Sequence, residues 1–283
     1  MTGRRSLIHL HHQEHHMSDS IPAAYAPELG DWRLMKTGWV TGADGQQWDQ
    51  PRALRGSTWH APIGGSEFSF ATPSAASLHL NAAWKSARRA QTIKENLAIH
   101  VFVNEAGHYS MQAAEESTAS LFDYFEEMIG VAFGSFGAIE AYCNQLIIEL
   151  AKAPVSMKRK KGAVVSLTPE EAECQISTDE KVKRLVPDLV GVPTPCGKAI
   201  WDTYLRIKHV RDAVTHFKRH DQMQHADKAH EPTVLLDLYG LDCFALPEDA
   251  LAVLGYFQPV AKERWMMNPE WKRPPIGNTP PTP

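Results

Sequence analysis

The sequence predicts a mainly helical protein, a bundle of about four helices that follows an irregular, weakly β region. Apolar residues recur at spacings of three and four from Ala113 to Lys152, which is the period of a buried helical stripe. Shorter helical segments with recognisable starts and ends follow as far as Met266. From Ser18 to Ser74, by contrast, Gly, Pro, Trp and polar residues are frequent, and turn signals interrupt the apolar runs.

These differences divide the chain into four parts. Residues 1–16 are either a disordered His-rich tail or an over-extended gene start, with Met17 as the true first residue. Residues 17–112 form an irregular α/β region of unknown role, and residues 113–268 form the helical bundle. Residues 269–283 are a Pro-rich tail without helical periodicity.

Four elements are expected before the bundle. Short strands are predicted at Trp32–Val40 and Glu67–Ala71, with Gly-rich turn signals between them. Apolar residues at helical spacing predict a helix at Ser74–Asn96, and a strand-like run covers Leu97–Val103. We expect this helix and strand to form a small cap before the bundle.

The long helix of the bundle contains Gly130, Gly134 and Gly137. Each glycine weakens an isolated helix by about 1 kcal/mol relative to alanine. Their spacing therefore predicts the close approach of another backbone, whose packing offsets that cost. The elements that follow are a capped helix start at Thr168–Pro169, helices at Thr178–Leu189, Gly197–His220 and Pro247–Met266, and an edge element at Thr233–Tyr239.

Composition excludes several classes of protein. The 283 residues carry a formal charge of -4, so binding to nucleic acid by bulk positive charge is excluded and any such binding must be local. No run of about 18 or more apolar residues is present, which argues against a membrane span. The four cysteines are widely spaced without a C-x2-C pair, which is typical of reduced thiols in a cytoplasmic protein.

Motifs for metals, cofactors and nucleotide loops are missing from the sequence. The histidines of the 1–16 tail and the set His220, His225 and His230 lack the ligand spacing that is usual for zinc. The chain has no phosphate-cradling Gly loop, no nucleophile elbow and no H-E-x-x-H. We therefore expect neither a metal nor a cofactor.

Two segments of the predicted bundle resemble a known family. The run Arg211-Asp212-Ala213-Val214-Thr215-His216 is similar to the Arg-x4-6-His motif of the HEPN superfamily, with Asp212 where Asn is more frequent. The run Gly137-Ala138-Ile139-Glu140-Ala141-Tyr142-Cys143-Asn144 is similar to the aromatic–acid–aromatic-like stretch followed by Asn in that family's first helix, with Ile139 where Phe is typical. The resemblance implies a HEPN-like four-helix bundle. It also implies a metal-independent endoribonuclease, such as a toxin or phage-defence effector with an antitoxin or defence partner protein.

The chemistry of RNA cleavage explains why these residue types would be used. A histidine such as His216 can accept the proton of the attacking 2′-hydroxyl because its unperturbed pKa is about 6.5. An arginine such as Arg211 can stabilise the charged phosphorane with planar, permanently charged donors. No metal is required, and the expected product end is a 2′,3′-cyclic phosphate.

Helix geometry constrains how the two residues could act together. Five residues on a straight α-helix separate the directions of Arg211 and His216 by about 140°. Either the helix loosens near His216 or the site is shared between two copies, and the resemblance implies the second, a homodimer with a composite cleft. Glu140 and Asn144 would then orient Arg211 or the His216 ring, and Asp212 is a further candidate for this purpose.

Other interpretations of the same residues remain open. The basic run Lys158, Arg159, Lys160 and Lys161 could contact RNA phosphates, although such a loop is more often merely solvated. Arg211 could instead pair with Glu140 to hold two helices together, and His216 could be an exposed residue at a helix C-terminus. The alternatives to a ribonuclease are a non-catalytic HEPN-like module for dimerisation, scaffolding or nucleotide binding, and an unrelated helical protein.

Overall fold

The computed structural model describes residues 31–33, 36–38, 52–54, 58–63, 66–71, 73–103, 109–158, 164–218, 233–258, 264–268 and 270–274. Contacts divide the chain into two compact units. The first unit comprises Met1–Ser74 with Glu263–Asn268, and the second comprises Ala75–Lys262 with Pro269–Pro283.

The described part of the first unit is built of short antiparallel hairpins, as the weakly β prediction requires. In the first hairpin β1 (Lys36–Gly38) pairs with β2 (Arg52–Leu54), and in the second β3 (Thr58–Ile63) pairs with β4 (Ser66–Ala71). A 3₁₀ turn at Arg264–Met267 also belongs to this unit.

The second unit is mainly helical. Its strands form two hairpins, β5 (Ile99–Val103) with β6 (Tyr109–Ala113) and β7 (Val155–Lys158) with β8 (Val164–Leu167). Its helices are α1 (Ala75–Glu95), α2 (Thr118–Leu150), α3 (Pro169–Gln175), α4 (Thr178–Glu180, a π-helical segment Lys181–Leu185, and Val186–Val190), α5 (Ala199–Thr215), α6 (Val234–Gly240) and α7 (Ala245–Tyr256).

The long helix α2 is the centre of this unit. It packs against α1, α5 and α7, and α7 also contacts both α1 and α5. The apolar stripe predicted for α2 is buried, with Tyr124, Met128, Ile139 and Ile147 fully enclosed. The prediction of a mainly helical fold is therefore confirmed.

The closest approach between α1 and α2 occurs at Gly134. A Cβ on Gly134 would lie 2.8 Å from the carbonyl oxygen of His79 and 3.0 Å from the backbone nitrogen of Ala83. At Gly130 and Gly137 the nearest atoms belong instead to the side chains of Ser86 and His79. The predicted backbone contact is thus confirmed at the middle glycine, and the other two leave room for neighbouring side chains.

The length and apolarity of α2 bear on the membrane prediction. With the preceding 3₁₀ turn, the helix Glu115–Leu150 is long and apolar enough to pass the usual test for a membrane span, contrary to the sequence expectation. Within the protein, however, 61% of its most apolar window is buried by other residues. This burial is the behaviour expected of the core helix of a globular protein.

The division between the two units differs from the predicted boundary at residue 113. The contacts place it at Ser74 because α1, expected to be part of a cap, packs along α2 as a component of the helical core. The hairpin of β7 and β8 was not predicted. It joins α2 to α3, and β8 ends at Leu167, one residue before the capping Thr168 of α3.

Two predicted helix ends and one predicted element type are wrong. The helix predicted to reach His220 ends at Thr215, and the last helix ends at Tyr256 rather than Met266. The edge element predicted at Thr233–Tyr239 is the helix α6. It begins there because the Thr233 hydroxyl accepts a hydrogen bond from the backbone N–H of Leu236, which satisfies an otherwise free donor of the first turn.

Candidate functional site

A polar pocket of about 440 Å³ lies where α2, α3, α4 and α5 meet. This volume is in the range of small-molecule sites. The side chains that give the pocket its chemistry are Phe136 and Glu140 of α2, Asp179 and Lys181 of α4, and Lys208 and Arg211 of α5.

Arg211 lies over an aromatic ring in this pocket. Its guanidinium carbon is 3.8 Å from the ring centroid of Phe136, a cation–π contact worth about 1–2 kcal/mol. One terminal nitrogen pairs with the neighbouring Asp212 at 3.1 Å. The Nε atom is buried and has no hydrogen-bond partner within the described residues. A desolvated donor without an acceptor costs about 1–3 kcal/mol, which the contact with Phe136 and the pair with Asp212 must offset.

Asp179 connects α4 to α5. Its carboxylate accepts hydrogen bonds from the hydroxyl of Tyr204 and from the ammonium of Lys208. Burial by itself would raise the pKa of Asp179, but the bonds from Lys208 and Tyr204, together with the positive charges of Lys208 and Arg211, lower it below its ordinary value. The same burial and the adjacent carboxylate raise the pKa of Tyr204. Asp179 is therefore held in its ionised form, and each of its two oxygens accepts a hydrogen bond from α5.

The two polar residues predicted on α2 bind to α4 rather than to the motif. Glu140 accepts a hydrogen bond from the hydroxyl of Thr178 at 2.9 Å. Asn144 accepts one from the ammonium of Lys181 at 2.7 Å. Neither forms an ion pair or hydrogen bond with Arg211 among the residues described, although Glu140 and Arg211 line the same pocket.

Lys181 occupies an unusual backbone position. It is 2% exposed and opens the π-helical segment of α4, in which the N–H of Val186 reaches back five residues to the Lys181 carbonyl. The cause lies in Pro187, which lacks an N–H and whose ring would collide with the carbonyl of Lys183 in a regular α-helix. The freed Lys183 carbonyl instead accepts a hydrogen bond from the hydroxyl of Thr194 at 2.7 Å. A wider turn before the proline resolves the conflict, and Lys181 lies at the start of that turn.

His216 lies outside the pocket. It follows the last residue of α5, has non-helical backbone angles (φ -123, ψ 58), and its side chain is exposed. The helix therefore does end near His216, yet His216 is not among the residues that line the pocket with Arg211. Its position fits the interpretation of an exposed residue at a helix C-terminus as well as it fits a residue that acts on another chain.

The remaining predicted residues are only partly described. Lys158 ends β7, and Arg159, Lys160 and Lys161 lie outside the described residues, as do the histidines at 1–16 and at 220, 225 and 230. Within the described part of the chain, His, Cys, Asp and Glu residues form no group of three or more that could hold a metal ion.

Several pocket residues were missed by reasoning from the sequence. Lys208 lies three residues before the predicted Arg211, which places both side chains on one face of α5, so the sequence did contain a signal for Lys208. Asp179 and Lys181 carried no such signal. Their place in the pocket depends on how α4 crosses α2, which a local pattern does not show.

No protein-family model, no curated protein and no solved structure matches this chain. The resemblance of the segments 137–144 and 211–216 to a family therefore stays a prediction from the sequence. The pocket is the place where a residue from each of these segments, Glu140 and Arg211, lines the same surface.

Proposed function

We propose that this protein is a metal-independent endoribonuclease of the HEPN type, which cleaves RNA by attack of the 2′-hydroxyl on the adjacent phosphate. The observation that supports the proposal is the shared pocket of Glu140 and Arg211. These residues come from the two segments that resemble the family, and they are far apart in the sequence. The packing of α1, α2, α5 and α7 is compatible with the four-helix plan that the resemblance implies.

Arg211 is the proposed phosphate-binding and transition-state-stabilising residue. It is permanently charged, its guanidinium lies over the ring of Phe136, and it lines an open pocket that also contains Lys208 and Lys181. Such a group stabilises the negative charge that develops on the phosphate oxygens during attack. Asp212, paired with Arg211, limits the rotation of the guanidinium.

His216 is the proposed general base, and it acts in a dimer. In one chain it is exposed and lies outside the pocket, so the proposed site combines Arg211 of one copy with the histidine of a second copy. The angle between two side chains on one straight helix does not decide this arrangement, because His216 follows the last residue of α5. The proposed biological role is that of a cytoplasmic toxin or phage-defence effector, with RNA as substrate and an antitoxin or defence protein as partner.

A non-catalytic module that binds nucleotides or other phosphate compounds is the second candidate. The observation that favours it is the composition of the pocket, where three cationic side chains are present but the described lining contains no histidine. In this case Arg211, Lys208 and Lys181 would bind a phosphate without a residue to remove the 2′-hydroxyl proton.

Cleavage of a labelled RNA in the presence of EDTA tests the proposal. The wild-type protein should cleave the RNA and leave 2′,3′-cyclic phosphate ends. His216→Ala should lower the rate by about 10²- to 10⁴-fold, the usual contribution of a general base. Arg211→Ala should lower it by about 10²- to 10³-fold, as the loss of a transition-state donor does. The exposed residues His209 and Arg184 provide matched controls, since His209→Ala and Arg184→Ala should leave the rate unchanged.

A mixing experiment tests the shared site. When Arg211→Ala and His216→Ala chains are co-expressed in equal amounts, half of the dimers are mixed and each mixed dimer has one intact site, so about a quarter of the wild-type activity should return. A mixture no more active than the separate variants refutes the composite site. Absence of cleavage by the wild-type protein refutes the ribonuclease proposal and favours the second candidate, the non-catalytic phosphate-binding module.

A further inference from the structure

Lys181 is a buried cation whose neighbours leave part of its hydrogen-bonding capacity unused. Lysine is almost never fully buried unless it is paired. Lys181 is 2% exposed, yet no carboxylate among the described residues lies within ion-pair distance of it. Its ammonium donates to two neutral acceptors, Asn144 Oδ1 at 2.7 Å and the backbone carbonyl of Glu173. An ammonium has three donors, so one remains.

The surroundings of Lys181 explain why its charged form is costly in the folded protein. Burial lowers the pKa of Lys181, and the negative ends of Glu140 on α2 and Glu173 on α3 oppose this effect from a distance. The thiols of Cys143 and Cys174 face it from the same two helices. Burial of a charge without an ionic partner is unfavourable, and an anion that reaches the residue relieves the cost.

Three acids line the pocket, and two of them, Asp179 and Glu140, bind neighbouring side chains. The third, Glu173, forms no ion pair among the described residues and attracts Lys181 only from a distance. Asp179 is occupied by Tyr204 and Lys208, and Glu140 accepts the hydroxyl of Thr178. Arg211 pairs with its neighbour Asp212. Arg211 and Lys181 both line the pocket, from α5 and α4 respectively.

We propose that Lys181 is a phosphate-binding residue at the floor of this pocket, where its remaining N–H donates to an oxygen of the same phosphate group that Arg211 binds. The proposal deepens the proposed function, since it rests on this pocket as the site of the ligand. The phosphate belongs to an RNA backbone or to a free nucleotide. The π-helical segment, a feature frequent at functional sites, is what places the lysine there.

Binding of a 2′-O-methyl RNA oligonucleotide, which the 2′-hydroxyl mechanism cannot cleave, tests the proposal at several salt concentrations. The variant Lys181→Met keeps a similar volume and removes the charge, and the exposed Lys183→Met on the same helix is the control. Lys181→Met should weaken binding and reduce the slope of log affinity against log salt by about 0.7, the value for one phosphate contact on a single strand. Lys183→Met should keep the wild-type slope. Weaker binding with an unchanged slope would indicate a structural role only and would overturn the proposal.

A second measurement does not depend on the folding of Lys181→Met. In wild-type protein labelled with ¹³C-lysine, adenosine monophosphate should shift the side-chain resonance of Lys181, assigned with Lys181→Arg, and leave that of Lys183 in place. Absence of this shift, together with an unchanged salt slope, refutes the phosphate contact.

The outcomes also separate this proposal from the ribonuclease. RNA binding that depends on Lys181, without any cleavage, supports the phosphate contact and refutes the proposed ribonuclease activity. Cleavage by the wild-type protein, together with a wild-type salt dependence of RNA binding in Lys181→Met, supports the ribonuclease and refutes the phosphate contact of Lys181. If the monophosphate binds in a manner that depends on Lys181 and the oligonucleotide does not bind, the phosphate belongs to a free nucleotide. If neither probe binds, the proposal is wrong.

Discussion

Substitution of Gly134 by alanine is a direct test of how α1 and α2 pack. The new methyl carbon would lie 2.8 Å from the carbonyl oxygen of His79 and 3.0 Å from both the nitrogen and the Cβ of Ala83. The obstructing atoms are mainly backbone atoms of α1, which do not rotate away as the end of a flexible side chain does. One of the two helices must therefore move.

The expected change in the free energy of unfolding of Gly134→Ala follows from two opposing contributions. Alanine favours the helical state over glycine by about 1 kcal/mol. Insertion of a methyl group into a tightly packed contact costs about 1–3 kcal/mol, and a backbone obstacle places this site at the upper end. We expect Gly134→Ala to lower the free energy of unfolding by about 1–2 kcal/mol.

Gly255 provides the matched control. It is also helical, near the end of α7, and a Cβ there would meet nothing within 4 Å. Gly255→Ala should therefore raise stability by about 0.5–1 kcal/mol, since only the helix propensity changes. Urea unfolding followed by far-UV circular dichroism measures both variants, and an unchanged m-value shows that the comparison is valid. A Gly134→Ala protein as stable as the wild type would refute the close contact.

Two further substitutions address the walls of the pocket. Thr168→Ala removes a capping box in which the side chains of Thr168 and Glu171 each accept a hydrogen bond from the other's backbone N–H. It should lower the free energy of unfolding by about 1 kcal/mol, whereas substitution of the exposed Thr92 of α1 by alanine should not. Equal effects of the two variants in urea unfolding would contradict the capping role. Asp179→Asn tests the lowered pKa of Asp179: a depressed carboxyl pKa adds stability that is complete above the ordinary value of 3.8 and is lost as the pH falls through the folded value. The stability difference between wild type and Asp179→Asn should therefore be constant while the pH stays well above 3.8 and should shrink as the pH falls below that value. A difference independent of pH would disprove the ion pair with Lys208.

Local chemistry explains what could be predicted from the sequence. The stripe of α2 follows from apolar residues at helical spacing, and the start of α3 follows from Thr168 and Pro169. The end of α4 follows from Gly191, which adopts the left-handed conformation (φ 75) that glycine accepts without strain. In each case the determining residues are neighbours in the chain.

The rest depends on contacts that local patterns do not show. No Gly or Pro marks the end of α5, so the helix was extended past Thr215 and His216 was placed on it. The pairing of Arg211 with Phe136 depends on the packing of α5 against α2. The burial of Lys181 depends on a one-residue widening of α4, to which a search for a period of 3.6 residues is insensitive.

The proline within α4 connects the pocket to residues that do not line it. Pro187 imposes the wide turn, Thr194 satisfies the carbonyl that the proline releases, and Lys181 is carried to its place at the start of that turn. A lineage that exchanged Pro187 for a residue with an N–H could regain a regular helix, and this change would rotate the N-terminal part of α4 by about 100° relative to the rest. Lys181 would then leave the pocket floor without being substituted. Natural variation at 187 and 194 is therefore expected to track variation at 181, although these positions share no contact with a ligand.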